Sequence, residues 1–270
     1  MIYAYAVISA ALVPILDRYL PILRESYSLW LVPVMFLGFF LAFIILHIGI
    51  VILLYLLVDI KKPPKCYKFY RFLAEITMPM VLSVLRVRVK VTNEELLPEN
   101  TRFVLISNHT HLFDPLIFLG KFPQAELSFI GKQEIADKMR LTAGFMWSMK
   151  GDFVDRENLR SGAKVIINSV KKLKNDEVSI CVFPEGTRSK DGNVGEFKSG
   201  AFRMAQKAGV PTVVCAISGV PDILHRFPLR STEVHLDFLK IFTNDDYEKY
   251  SETQLSETSR NLIEAKIKGR

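Results

Sequence analysis

Cysteine is scarce in this chain of 270 residues. Cys66, Cys181 and Cys215 stand far apart, none belongs to a C-x-x-C pair, and no histidine lies at ligand spacing to any of them. A disulfide framework and a zinc site are therefore excluded as organising features, no metal is expected, and a reducing compartment fits. Internal repeats and low-complexity segments are also missing. Charge is missing locally: Ser28 to Val58 contains no Lys, Arg, Asp or Glu. The N-terminus lacks the basic start and small-residue cleavage site of a secretory signal, so no cleaved signal peptide is expected.

What is present is apolar bulk and positive charge. Half of the residues are hydrophobic, and mean hydropathy is positive, high for a soluble protein. The excess is concentrated in Leu29–Val58. Roughly 20 apolar residues cross a bilayer core, so this run can span with a tilt. Met1–Leu16 is apolar but short for a span; if it also inserts, the two form a hairpin. Asp59-Ile60-Lys61-Lys62-Pro63-Pro64-Lys65 stops the long run, and Lys61, Lys62, Lys65, Lys68 and Arg71 cluster beyond it. By the positive-inside rule this flank and the domain after it face the cytoplasm. The formal charge is +7, and with Arg18 and Arg24 set against Asp17, Glu25 and Asp59 in the first 60 residues, the remainder carries +8. A basic domain tethered to a membrane points to anionic lipid head groups. Nucleic acid is not expected as a partner, because no basic repeat or helix-turn-helix spacing accompanies the charge.

Three regions follow: a membrane region over 1–62 with one long or two apolar helices, an amphipathic segment over 63–85, and a cytoplasmic domain over 86–270. Within the second, CYKFYRFLAEITMPMVLSVL at 66–85 has an apolar stripe at helical spacing, which serves equally a helix lying at the lipid interface and one packed on the domain. RVRVKV at 86–91 alternates as a half-buried strand. Buried strands are expected at 103–106, 127–130, 178–183 and 211–217, a short one at 153–154, and a partly alternating one at 233–242. Helices are expected from Leu116 to just before Lys121, over 133–149 with an interruption near Gly144, over 161–174 capped by Ser161, over 199–208 ended by Gly209, and over 251–268. Strands alternating with helices predict an α/β domain with a largely parallel sheet.

The chain is organised around NHTHLFDP, Asn108 to Pro115, between the strand at 103–106 and the helix after it. Asp114 followed by proline is a helix start in which the aspartate caps free N–H groups. His109 and Asp114 meet at the mouth of this turn. A histidine that gives one ring N–H to a carboxylate keeps its other nitrogen as a base. Further on stand GDFVDR at 151–156, FPEGTRS at 183–189 and FKSGAF at 197–202. The turn after the strand at 178–183, Gly186-Thr187-Arg188, offers backbone N–H groups and a guanidinium suited to phosphate.

Over about residues 80–220 these segments, in this order, resemble the glycerolipid acyltransferase family, and most of all its 1-acylglycerol-3-phosphate acyltransferases. The resemblance implies a glycerolphosphate-acyltransferase-like α/β domain with a largely parallel mixed sheet. It implies transfer of an acyl group from a thioester, acyl-CoA or acyl carrier protein, to the free hydroxyl of the lysophospholipid, giving phosphatidic acid without a separate cofactor. His109 would be the base and Asp114 its orienting partner. Arg156, Gly186, Thr187 and Arg188 would hold the phosphate, with Asn108, Glu185, Lys132 and Lys198 in support. His111, lacking the Asp spacing, stands where the family often has a small or polar residue. Cys215 follows Val210-Pro211-Thr212-Val213-Val214 where many members have a second proline, which bears on the shape of the pocket. Acylation of glycerol-3-phosphate or of another lysophospholipid is the alternative within the enzyme class. A catalytically silent lipid-binding membrane protein is the alternative outside it.

Overall fold

A computed structural model describes residues 1–19, 31–62, 66–189 and 193–269. It divides into two compact units, Met1–Leu57 and Val58–Arg270. In the first, α1 (Ile2–Tyr19) packs on α2 (Leu31–Leu56). The Tyr5 ring stacks on Phe43 with centroids 5.9 Å apart, and the Tyr5 hydroxyl meets His47 Nδ1 at 2.7 Å. Among the described residues α2 is the one helix long and apolar enough to cross a membrane. The start of the apolar run, 28–30, and the Pro63-Pro64-Lys65 stop lie outside the described residues.

The second unit is built on one seven-stranded sheet in the order β1-β7-β6-β2-β5-β3-β4. Its strands are β1 (Val87–Thr92), β2 (Val104–Ser107), β3 (Leu127–Lys132), β4 (Asp152–Val154), β5 (Ser179–Val182), β6 (Thr212–Ser218) and β7 (Thr232–Phe242). All neighbouring pairs are parallel except β6 with β7. The sheet is thus mixed but largely parallel, as the alternating pattern predicts.

The central strands β2, β5 and β6 are buried at nearly every position because helices cover both faces. Period-two alternation sorts their side chains between two cores. Leu105, Val213, Cys215 and Ile217 fall on one side with Phe103, Ile117, Phe118 and Phe238. Val104, Ile106, Val214 and Ala216 fall on the other with Phe202, Leu255 and Ile263. The first face is covered by α3 (Tyr67–Val84) and α4 (Asp114–Lys121), the second by α7 (Leu159–Lys174), α8 (Gly200–Ala208) and α11 (Glu252–Lys268). The remaining helices are α5 (Gln133–Lys138), α6 (Arg140–Ser148), α9 (Asp222–Arg226) and α10 (Asn244–Lys249).

Several expectations change. The break in 133–149 falls at Met139, between α5 and α6, while Gly144 is buried inside α6. Helix α7 is capped by Asn158, which accepts from the N–H groups of Arg160 and Ser161; the Ser161 hydroxyl accepts from Asp155 N–H instead. Residues 67–84 form α3, which packs Met78 and Leu82 into the core and leaves Phe69 and Phe72 exposed. Arg71 belongs to that packing and not to a surface cluster. It is 4% exposed and donates to the carbonyl of Leu127 at 2.9 Å.

Candidate active site

Parallel strands deliver the connections after β2, β3, β4, β5 and β6 to one edge of the sheet. This is where open α/β sheets hold ligands, outside the carboxyl ends of their strands. All the segments singled out in the sequence reach this edge.

Asn108 leaves β2 2% exposed. Its side-chain amide donates to the carbonyl of Ile217 at 2.9 Å and accepts from the N–H of Ile217 at 2.9 Å. An amide that supplies both a donor and an acceptor replaces a strand partner for β6 at the point where β2 ends. Asn108→Ala strands both main-chain groups of Ile217 in a buried position. We expect a loss of about 2 kcal/mol or more in unfolding free energy, measured by denaturant titration of the detergent-solubilised chain.

His109 Nδ1 lies 2.8 Å from Asp114 Oδ2, with the imidazole 20% exposed and the aspartate side chain fully buried. A carboxylate oxygen accepts, so the bond forms with Nδ1–H donating, which leaves Nε2 as the free acceptor. Asp114 Oδ2 also accepts from the N–H of Thr110 at 2.6 Å and of His111 at 2.8 Å, and Oδ1 accepts from the Thr110 hydroxyl at 3.0 Å. The expectation that Asp114 caps its own helix is therefore corrected. Phe113 holds the cap position without a side-chain bond, and the Asp114 carboxylate turns back onto the loop before it. That direction closes the 109–114 turn around the imidazole and turns both oxygens of Asp114 onto it.

The connection after β5 fixes His109 from the other side. The Phe183 ring stacks on the imidazole at 4.3 Å, tilted by 21°. Glu185 accepts from the N–H of His109 at 2.8 Å through Oε1 and from the N–H of Gly195 at 2.9 Å through Oε2. The His109 carbonyl in turn accepts from the N–H of Ser189 at 2.8 Å. Both main-chain groups of His109 and one face of its ring are thus held by residues 183–189. Phe183 and Thr110 were not expected as site residues. Phe183 read as the end of a strand, and nothing in a single sequence tells a core phenylalanine from one lying under a histidine.

Gly186 and Arg156 come together at the same edge. Gly186 has φ +72°, and a Cβ there would lie 2.9 Å from the guanidinium carbon of Arg156. The Arg156 head group thus rests on a bare stretch of main chain, and burial lowers its pKa, with Glu134 acting in the opposite direction. Neither Arg156 nor Arg188 forms an ion pair among the described residues, so the salt bridge to Asp155 or Glu157 that a surface arginine would make is absent there. Thr187 and Arg188 are exposed. Gly186→Ala meets both a left-handed backbone and the guanidinium; we expect about 1–2 kcal/mol of destabilisation, read by the same titration.

Lys132 ends β3 beside Val154 of β4, and the Lys198 N–H donates to the Pro184 carbonyl at 3.1 Å, folding FKSGAF back onto FPEGTRS. His111 accepts from the N–H of Phe113 at 3.3 Å. Burial lowers its pKa, Asp114 opposes, and Arg188, His109 and His225 add to the depression. Cys215 lies fully buried in β6 at the register irregularity facing β7, away from the exposed edge.

Residues 88–218 match the family model described as Acyltransferase. Among curated relatives, a probable 1-acyl-sn-glycerol-3-phosphate acyltransferase of Mycoplasma pneumoniae is 35% identical over 156 residues, which is 56% of this chain and 55% of that protein. The match spans little more than half of that relative's length. The 1-acyl-sn-glycerol-3-phosphate acyltransferase of Borreliella burgdorferi is 27% identical over 63% of this chain and 68% of its own, and that of Escherichia coli K12 is 27% identical over 61% and 66%. The crystal structure of the 1-acyl-sn-glycerophosphate (LPA) acyltransferase PlsC from Thermotoga maritima superposes with a TM-score of 0.61 over 100% of this chain and 97% of that one; at 23% identity it shows the shared fold. Residues 88–218, which run from β1 to the end of β6, thus resemble the acyltransferase family, and the superposition shows a shared fold.

Proposed function

We propose that the chain transfers an acyl group from a thioester to the free hydroxyl of 1-acylglycerol-3-phosphate, giving phosphatidic acid. The observation that carries this reading is the imidazole of His109, held at Nδ1 by a fully buried carboxylate, with no hydrogen bond at Nε2 among the described residues. In this reading Nε2 takes the proton of the lipid hydroxyl as its oxygen attacks the thioester carbonyl. The thiolate leaves and is protonated from the imidazolium. No protein nucleophile is required. Asp114 keeps the tautomer and stabilises the imidazolium, as the buried carboxylate of a serine-hydrolase triad does. Arg156 and Arg188, with the Gly186 turn between them, hold the acceptor's phosphate. The donor is acyl-CoA or acyl carrier protein; both are acidic and suit a basic surface. The names of the relatives point to the same acceptor.

We also place the chain on a membrane, with α2 as its anchor and the second unit on the cytoplasmic side. The support is the length of α2 and the lysines, Lys61 and Lys62, that follow it. The test is acyl transfer by the detergent-purified chain, given lysophosphatidic acid and a labelled acyl thioester. Labelled phosphatidic acid is the expected product. Product from glycerol-3-phosphate or another lysolipid alone moves the acceptor. Binding of lipid without turnover with either donor overturns the enzyme reading in favour of a silent lipid-binding protein.

A further inference from the structure

We propose that residues 219–231, the connection between β6 and β7, dock on an anionic lipid leaflet, with Leu224, Phe227 and Leu229 entering the acyl boundary and Arg86, Arg226 and Arg230 at head-group depth. The inference rests on the function above in one respect: a lipid acceptor requires the edge carrying His109 to face the leaflet.

Topology puts this connection at that edge, since β6 runs parallel to β2 and the chain leaves it on the side where His109 leaves β2. The start of β1 is there too, because Val87 pairs with Thr232 in a parallel ladder and the N–H of Thr232 donates to the Arg86 carbonyl. Leu224, Phe227 and Leu229 are 54%, 39% and 86% exposed. One exposed leucine is ordinary. Three large apolar side chains within six residues, interleaved with His225, Arg226 and Arg230 and with no acid among them, form an interfacial pattern of apolar bodies and cationic heads. The Arg86 guanidinium reaches the same connection, donating to the Pro228 carbonyl at 3.4 Å. Leu112, 42% exposed, stands in the turn that holds His109 and adds an apolar side chain at the same edge.

The opposite edge differs in carrying acidic side chains on its connections. Its connections carry Glu94, Glu95, Glu99, Asp176, Asp245 and Asp246. Some cations there are matched, Arg102 by Glu126 and Asp176 and Lys150 by Glu177, while Lys121, Lys174 and Lys207 in the last turns of α4, α7 and α8 form no ion pair among the described residues. At the site edge Arg86, Arg188 and Arg230 have no carboxylate in ion-pair reach among the described residues, and only Arg226 is paired, with Asp222 at 3.3 Å. An anionic surface attracts the unpaired arginines of the site edge, and each basic residue close to it strengthens binding about fivefold. A lysolipid can then present its hydroxyl to His109 while its chain stays in the leaflet.

The test uses the full chain with Cys66→Ser, which removes the exposed thiol and leaves Cys181 and Cys215 buried. An environment-sensitive fluorophore is placed by Leu229→Cys, or by Asn100→Cys on the opposite edge as the control. The chain is reconstituted in vesicles of equal parts phosphatidylcholine and phosphatidylglycerol carrying nitroxide on the acyl chains. We expect quenching at position 229 several times that at position 100. Equal quenching overturns the proposal. Adding Arg226→Gln and Arg230→Gln is expected to reduce quenching at 229, and an unchanged value overturns the commitment to an anionic leaflet. The readout needs no turnover, so an inactive preparation that still shows the quenching separates failure of the function from failure of this docking surface.

Discussion

His109→Ala is expected to lower the rate of phosphatidic acid formation by about two to four orders of magnitude at neutral pH. The size follows from the role. A general base positioned against the reacting hydroxyl contributes that much, and no nearby group is held in the same way. His111 is the nearest imidazole, yet its Nδ1 accepts from the N–H of Phe113 and its pKa is depressed by burial. Folding should survive the change. Asp114 keeps three of its donors, from Thr110 and His111, and the main-chain bonds of His109 to Glu185 and Ser189 do not involve the ring. The thermal transition should therefore stay close to that of the unmodified chain while activity collapses. Asp114→Asn provides the contrast. Its amide nitrogen can only donate, and in one of its two orientations faces the N–H groups of Thr110 and His111, so this variant should lose stability as well as rate. A His109→Ala enzyme with undiminished turnover would remove His109 from the mechanism and make His111 the residue to test.

That contrast also marks how far the site could be read in advance. The pairing of His109 with Asp114 was legible because both lie in one short turn between a buried strand and a helix, where five residues of spacing leave few places for the side chains to go. The direction of the Asp114 carboxylate was not. A helix-start aspartate normally serves its own helix, and only the fold shows the loop donors competing for it. The strands were legible for a similar reason. Central strands of a covered parallel sheet are runs of apolar residues bounded by turns, and 103–106, 178–183 and 211–217 all became strands within one or two residues. Arg71 and Met139 were opaque, because an arginine looks charged and exposed until a buried carbonyl is placed beside it, and the break at Met139 has no glycine or proline to announce it. The clamp of Glu185 on His109 joins positions 76 residues apart, and a single chain carries no record of such a meeting.

The largest effect after the loss of the base should come from removing Arg156 and Arg188, the two arginines proposed to hold the phosphate. Each charge-assisted hydrogen bond is worth about 1.5–3 kcal/mol when well desolvated, and the exposure of Arg156 and Arg188 brings the expectation to the lower end. That corresponds to about tenfold in KM for each single alanine variant and on the order of a hundredfold for the double variant, by the usual 1.4 kcal/mol per tenfold. The turnover number should move little, because the phosphate is bound in the ground state and the transition state alike. Arg156→Lys should fall between, since it keeps the charge but not the fork that grips two oxygens. The decisive comparison is with 1-acylglycerol, which has the hydroxyl and the acyl chain but no phosphate. For the unmodified chain it should be a poor acceptor, and the arginine substitutions should not make it poorer. If the variants lose activity equally on both acceptors, Arg156 and Arg188 act on the architecture of the Gly186 turn rather than on phosphate. Such a result would leave the base in place and reopen the identity of the acceptor.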